Sequence, residues 1–87
     1  MDFHTKKNIL VTGANRGIGY GLVRQLYQNH NVFFSVRNKK KGEKTLKGLS
    51  GKNLNFIIMD VDSTESVVSG INNLKKFADK IDIVFNN

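Results

Sequence analysis

The 87 residues include no cysteine and no proline. Lack of cysteine excludes disulfides and thiolate metal sites. The start of the chain, Met1 to Lys7, has no apolar core of the kind a secretory signal needs. No apolar run approaches the ~18 residues of a membrane span, so the expectation is a cytoplasmic protein with no membrane partner. Acidic residues are also scarce in one place: none lies between Asp2 and Glu43. Residues 1–52 carry 11 Lys and Arg against those two acids, a net of +9, whereas residues 53–87 have a net of −2. A basic field over the first half suits a phosphate-rich ligand. At this length a single domain is expected, and one that buries only about 60–65% of its unfolded surface is marginal unless it pairs with something.

What is present is a strict alternation of apolar runs and helical patterns. Strands are expected at Asn8–Thr12, Val32–Val36, Leu54–Met59 and Asp82–Phe85, each dense in Val, Ile, Leu or Phe. Between them, Ile18–Asn29 reads as a helix with Ile18, Leu22, Val23, Leu26 and Tyr27 on one face. Lys41–Leu49 is a weaker helix because Gly42, Gly48 and Gly51 lie in or beside it. Asp62-Ser63-Thr64-Glu65 resembles a capping box. It opens a helix whose apolar stripe runs Val67, Ile71, Leu74, Ala78 and Ile81. Strands apolar on both faces imply a parallel sheet with helices on each side. The expected architecture is α/β, a Rossmann-type parallel sheet of strand order 3-2-1-4, with a ligand at the switch point between strands one and four.

Residues 12–19 read Thr-Gly-Ala-Asn-Arg-Gly-Ile-Gly, between the first strand and the first helix. A glycine turn there holds the pyrophosphate of a dinucleotide. Gly13 allows the tight turn, Gly17 lets the backbone approach the phosphates, and Gly19 lets the helix pack on the sheet. Glycines also occur at turns for purely structural reasons, but the placement here favours the ligand reading.

The spacing Gly13-x-x-x-Gly17-x-Gly19 resembles the Thr-Gly-x-x-x-Gly-x-Gly motif of the short-chain dehydrogenase/reductase family. Three further segments fit in register: Arg37 after strand two, Asp60-Val61 after strand three, and Asn86-Asn87 after strand four. The resemblance covers the whole chain, and Asn15-Arg16 with Ser35-Val36-Arg37 looks most like the carbonyl-reductase branch. It implies that the Asp60 carboxylate binds the adenine amino group, that the Val61 N–H meets the ring, and that Asn87 lies near the cofactor ribose. The expected cofactor-contacting residues are therefore Gly13, Asn15, Arg16, Gly17, Ile18, Gly19, Arg37, Asp60, Val61 and Asn87.

An acid at the end of strand two would accept hydrogen bonds from the ribose hydroxyls of NAD and repel a 2′-phosphate. Arg37 stands there instead, with Arg16 in the turn, and a guanidinium binds phosphate through paired charge-assisted bonds. NADP(H) is the expected cofactor. The run Lys39-Lys40-Lys41 is expected to be a solvated helix start that adds field rather than a set of direct ligands.

The family's chemistry uses a Tyr-x-x-x-Lys pair and a Ser. Tyr20 is followed four residues on by Arg24, and Tyr27 by Asn31, so neither tyrosine fits. His4 and His30 have no triad or metal partner near in sequence. The resemblance thus implies that residues 1–87 are a partial dinucleotide-binding domain of a carbonyl-reducing enzyme, without activity alone. Its expected partners are the cofactor and the remainder of the reductase, or a partner chain, covering strand four. A non-catalytic cofactor-binding or structural subunit is the alternative. Nucleic-acid binding through the basic half is weaker, lacking interleaved exposed aromatics and any recognised module.

Overall fold

A computed structural model describes residues 6–13, 17–49, 51 and 53–86. Four strands alternate with three helices: β1 (Asn8–Thr12), α1 (Gly17–Leu26), β2 (Asn31–Val36), α2 (Lys39–Leu46), β3 (Leu54–Ile58), α3 (Thr64–Leu74) and β4 (Ile83–Asn86). The strands form one sheet in the order β3-β2-β1-β4, and every pairing is parallel. Register sets Leu10 beside Phe33 and Val84, and Val36 beside Ile58. This is the expected order, and it places the carboxyl ends of all four strands along one edge.

Alternation along each strand divides the core into two layers. Ile9, Val11, Val32, Phe34 and Val36 point to one face, where they meet Val23 and Leu26 of α1 and Leu46 of α2. Leu10, Phe33 and Ile57 point to the other, where Leu74 of α3 covers them. Helices therefore lie on both faces. Phe34, Ile9, Val11, Val23 and Val32 are completely buried. Burial at roughly 1.5–3 kcal/mol for each such side chain supplies most of the drive to assemble the sheet. β4 pairs only with β1 among the described residues, and its Val84 is exposed.

Helix ends differ from the sequence reading, α2 stopping at Leu46 rather than Leu49 among them. α1 stops at Leu26 rather than Asn29. Residues 27–29 form a turn in which Asn29 and His30 N–H groups both donate to the Leu26 carbonyl, at 3.2 and 3.0 Å. α2 begins at Lys39 because the Asn38 side chain caps it, accepting the Lys41 N–H at 2.9 Å. Gly42 belongs in that helix for a packing reason, since a Cβ there would lie 2.5 Å from the Phe56 ring. α3 ends at Leu74, so Ala78 and Ile81 continue the apolar stripe from a loop and still pack on the second core layer.

The start of α3 also differs in detail from a capping box. Ser63 is the cap, its hydroxyl accepting the Ser66 N–H at 3.2 Å. No glutamate occupies the reciprocal position. Ser66 fills it, and its hydroxyl accepts the Asp60 N–H at 2.8 Å. The cap therefore anchors the turn leaving β3, which is where the site described next has one wall.

Candidate functional site

At the carboxyl edge the chain leaves β1 at Thr12 and turns through Gly13, with φ 62°, and Gly17, with φ 68°. Both angles lie in the left-handed region that a Cβ makes costly. A Cβ built on Gly17 would meet none of the other described residues within 4 Å, so the space in front of this backbone is open on their side. α1 starts at Gly17 and has no acidic residue in its first turn. The N–H groups of that turn have no partner within the helix, and the positive end of the helix dipole lies there without a local countercharge. Gly19 is buried with Val23 on the inner side of α1.

A groove of about 750 Å³ opens at this point. β1 and its turn contribute Thr12, Gly13, Gly17 and Ile18; the end of β2 contributes Ser35, Val36 and Arg37. Lys41 of α2 and the pair Met59 and Val61 after β3 complete it. Ile18 is 78% exposed and Val61 59%, so both present apolar surface to the groove.

The groove brings together Gly13, Gly17, Ile18, Arg37 and Val61, five of the ten residues expected from the sequence. Gly19 lies behind the turn. Asp60 adjoins the groove, with its Oδ1 committed to the Asp62 N–H at 3.0 Å. Asn15, Arg16 and Asn87 lie outside the described residues.

Three more side chains bear on the groove, and the sequence reading gave Ser35 and Thr12 no role of their own in it. Ser35, essentially buried, accepts the Gly13 N–H on its hydroxyl at 3.3 Å and so holds the glycine turn against β2. The Thr12 hydroxyl donates to Asn86 Oδ1 at 2.9 Å and ties the end of β1 to that of β4. Lys41, in the run read as a solvated helix start, is exposed and lines the groove. Lys39 is paired with Glu43 at 3.8 Å along the helix, whereas Lys41 faces the groove. Helical spacing could have separated the two, because residues two apart point in different directions.

A fourth feature is Asp62. Its carboxylate lies 3.4 Å from the Arg37 guanidinium, both side chains being largely exposed. The absence of acids between Asp2 and Glu43 therefore does not leave Arg37 without a carboxylate neighbour. The signal was legible in principle, because β3 lies beside β2 and the segment after β3 reads Asp-Val-Asp.

This arrangement offers an anion the N-terminus of α1, and offers a second anion the cations Arg37 and Lys41 across the groove. An open cradle in front of Gly17, exposed apolar walls and two cations fit a phosphate-bearing dinucleotide. No group of three or more His, Cys, Asp or Glu is placed to hold a metal among the described residues. No helix among them is long and apolar enough to cross a membrane.

Comparison with known proteins agrees with this geometry. The family model for short chain dehydrogenases matches residues 7–87. (−)-Isopiperitenone reductase of Mentha piperita is 40% identical over 85 residues, covering 90% of this chain and 27% of that protein. The NADPH carbonyl reductase 1 of Rattus norvegicus is 36% identical over 62 residues, covering 67% of this chain and 22% of its own length. The solved menthone neomenthol reductase of Mentha piperita superposes with a TM-score of 0.83 at 32% identity, over 95% of this chain and 31% of that one. The chain belongs to the short-chain dehydrogenase family, oxidoreductases that use a nicotinamide cofactor. It spans roughly a quarter to a third of the length of the curated relatives it matches.

Proposed function

We propose that this chain forms the NADP(H)-binding part of a reductase that transfers hydride to carbonyl compounds. The observation that carries the reading is the pair of cations, Arg37 and Lys41, lining the groove at the end of β2. In this position an acid would serve NAD. The α1 N-terminus and the Gly13–Gly17 turn hold the pyrophosphate. Arg37 and Lys41 hold the 2′-phosphate. Asp60 offers its remaining carboxylate oxygen, and Val61 its N–H, to the adenine. Ser35 and Thr12 keep the turn and the strand ends in place. Asn15, Arg16 and Asn87 take the cofactor contacts expected of them from the family motif.

When bound, the reduced nicotinamide supplies the hydride. Reduction of a carbonyl also needs a proton donor, and residues 1–87 contain no Tyr-x-x-x-Lys pair. We assign proton delivery to protein outside these residues, and contact with the exposed β4 edge to the same remainder of the reductase or to a partner chain. The reductase names of the relatives support a reductive direction.

The test is cofactor titration of Arg37→Ala in the full-length protein. One charge-assisted bond is worth about 1.5–3 kcal/mol. With Arg37 largely exposed, the lower end applies, about tenfold in affinity. NADPH binding should weaken about tenfold, with NADH little changed. Equal losses for both cofactors would refute the assignment of Arg37 to the 2′-phosphate.

A further inference from the structure

We infer that Asp62 competes with the cofactor for Arg37 and so limits how strongly this site prefers a 2′-phosphate over a 2′-hydroxyl. The inference rests on the NADP(H) reading above and names a residue that tunes it.

The contact is built by the backbone, not by chance meeting of two long side chains. Arg37 directly follows β2, and the Met59 N–H donates to the Val36 carbonyl at 2.8 Å, which sets the spacing between the ends of β2 and β3. Asp62 sits in a turn pinned three ways. Its N–H donates to Asp60 Oδ1 at 3.0 Å, the Ser63 N–H donates to the Asp60 carbonyl at 3.0 Å, and the Asp60 N–H donates to the Ser66 hydroxyl at 2.8 Å. The backbone of Asp62 is thereby fixed next to Val61, a wall of the groove.

The contact itself is weak. It is a single approach of 3.4 Å between side chains that are 64% and 79% exposed. An exposed pair of this kind is worth at most about fivefold in an equilibrium constant. A phosphate monoester carries about −1.5 to −2 charges and three acceptor oxygens, so it offers the guanidinium a better, two-point partner. To take Arg37 it must displace Asp62 and then share the rim with that carboxylate. Both steps oppose a 2′-phosphate and leave a 2′-hydroxyl nearly untouched. Among the other charged groups nearby, Lys39 is tied to Glu43, while Lys41 faces the groove and attracts the phosphate. Asp60 adjoins the groove too, but among the described residues Asp62 is the acid in contact with Arg37 and so the one that works against NADP(H) through it.

The experiment uses the purified full-length protein and four forms: wild type, Asp62→Asn, Arg37→Ala and the double variant. Each is titrated with NADPH, NADH and 2′,5′-ADP, the last reporting the 2′-phosphate without the nicotinamide. The backbone N–H of residue 62, which holds the turn, survives in Asp62→Asn, so melting temperature should be close to wild type. Asp62→Asn should tighten NADPH and 2′,5′-ADP about two- to fivefold and leave NADH within about 1.5-fold. The gain should shrink at high salt, as screening weakens the pair it removes. In the Arg37→Ala background it should fall to less than half.

An unchanged or weaker NADPH affinity in Asp62→Asn, against an Arg37→Ala variant that does lose NADPH selectively, would overturn this inference alone. A gain of equal size with and without Arg37 would also overturn it, since the carboxylate would then act through its field and not by holding Arg37. If Arg37→Ala itself does not shift the NADPH-to-NADH ratio, the NADP(H) reading fails and the inference falls with it.

Discussion

Gly17→Ala separates two roles that one glycine plays in this site. The backbone at Gly17 has φ 68° and begins α1. An L-residue in that conformation costs roughly 1–2 kcal/mol. For a domain of this size each kcal/mol moves the melting temperature by about 4–8 °C, so a fall of roughly 5–15 °C is expected. No atom surveyed among the described residues lies within 4 Å of the added methyl, so no packing clash with them adds to this. The methyl does stand in the open groove, where we place the pyrophosphate. Losing close approach of one backbone donor to a phosphate costs about 1.5–3 kcal/mol, or ten- to a hundredfold in affinity. The pyrophosphate is common to both cofactors, so NADPH and NADH should weaken by the same factor, in contrast to Arg37→Ala. Stability is read from thermal melts without ligand, and affinity from cofactor fluorescence titrations well below the melting temperature. A variant with a lowered melting temperature and affinities within twofold of wild type would refute the phosphate role. Gly17 would then serve the turn's geometry only.

Two other glycines should respond in opposite directions. Gly42→Ala drives a methyl into the Phe56 ring, at 2.5 Å from Cδ2 and 2.6 Å from Cγ. Overpacking of about 1–3 kcal/mol outweighs the roughly 1 kcal/mol of helix propensity gained, so urea denaturation should show a net loss. Gly21→Ala meets nothing within 4 Å and should stabilise by about 0.5–1 kcal/mol; a gain of similar size at Gly42 would refute the packing argument. A pH dependence is expected at Asp82. The Asn8 N–H donating to its carboxylate at 2.8 Å, helped by Lys80 at 3.5 Å, holds its pKa below the usual carboxylate value. A depressed carboxylate stabilises the fold above its unfolded-state pKa, and this is lost as pH falls through the folded value. The stability gap between wild type and Asp82→Asn should therefore be full at neutral pH and close below about pH 4. A gap constant from pH 7 to pH 3 would remove Asp82 ionisation from the account.

The strands were legible because each is a short run of Val, Ile, Leu or Phe bounded by polar residues, and their expected limits lie within one residue of those observed. Strand order followed from the doubly wound Rossmann pattern, in which the chain crosses to the other side of strand one after strand three. Helix ends were less visible. Nothing at Tyr27–Asn29 breaks the helical pattern, and the stop at Leu26 depends on a turn closed by Asn29 and His30. Within the site, the glycine turn and Arg37 could be placed from motif spacing. Ser35 could not be assigned, since its partner, the Gly13 N–H, lies 22 residues away and meets it only through the β1–β2 pairing. Asp62 is 25 residues from Arg37 and is joined to it by the β2–β3 pairing in the same way.

The two ends of the sheet are tied differently, and the difference bears on which part of the site yields to a ligand. At the amino end, the Asn8 carbonyl accepts the Asp82 N–H at 2.8 Å, its N–H donates to Asp82 Oδ2 at 2.8 Å, its Nδ2 donates to the Lys80 carbonyl at 3.1 Å, and its Oδ1 accepts from Asn31 Nδ2 at 3.0 Å. His30, buried, accepts the Lys7 N–H at 3.0 Å beside them. This end is closed by short, mutually supporting bonds. At the carboxyl end each junction has a side-chain link: Thr12 to Asn86 between β1 and β4, Gly13 to Ser35 between β1 and β2, and Arg37 to Asp62 beyond β2 and β3. The first two are partly buried and neutral, and a neutral hydrogen bond of this kind contributes about 0.5–1.5 kcal/mol. The third is exposed and ionic, worth about 0.2–1 kcal/mol, and its charges can be taken over by water or by a phosphate. A cofactor that enters this groove therefore meets two junctions that keep their shape and one that yields. The one that yields carries Arg37, the residue we propose for the 2′-phosphate.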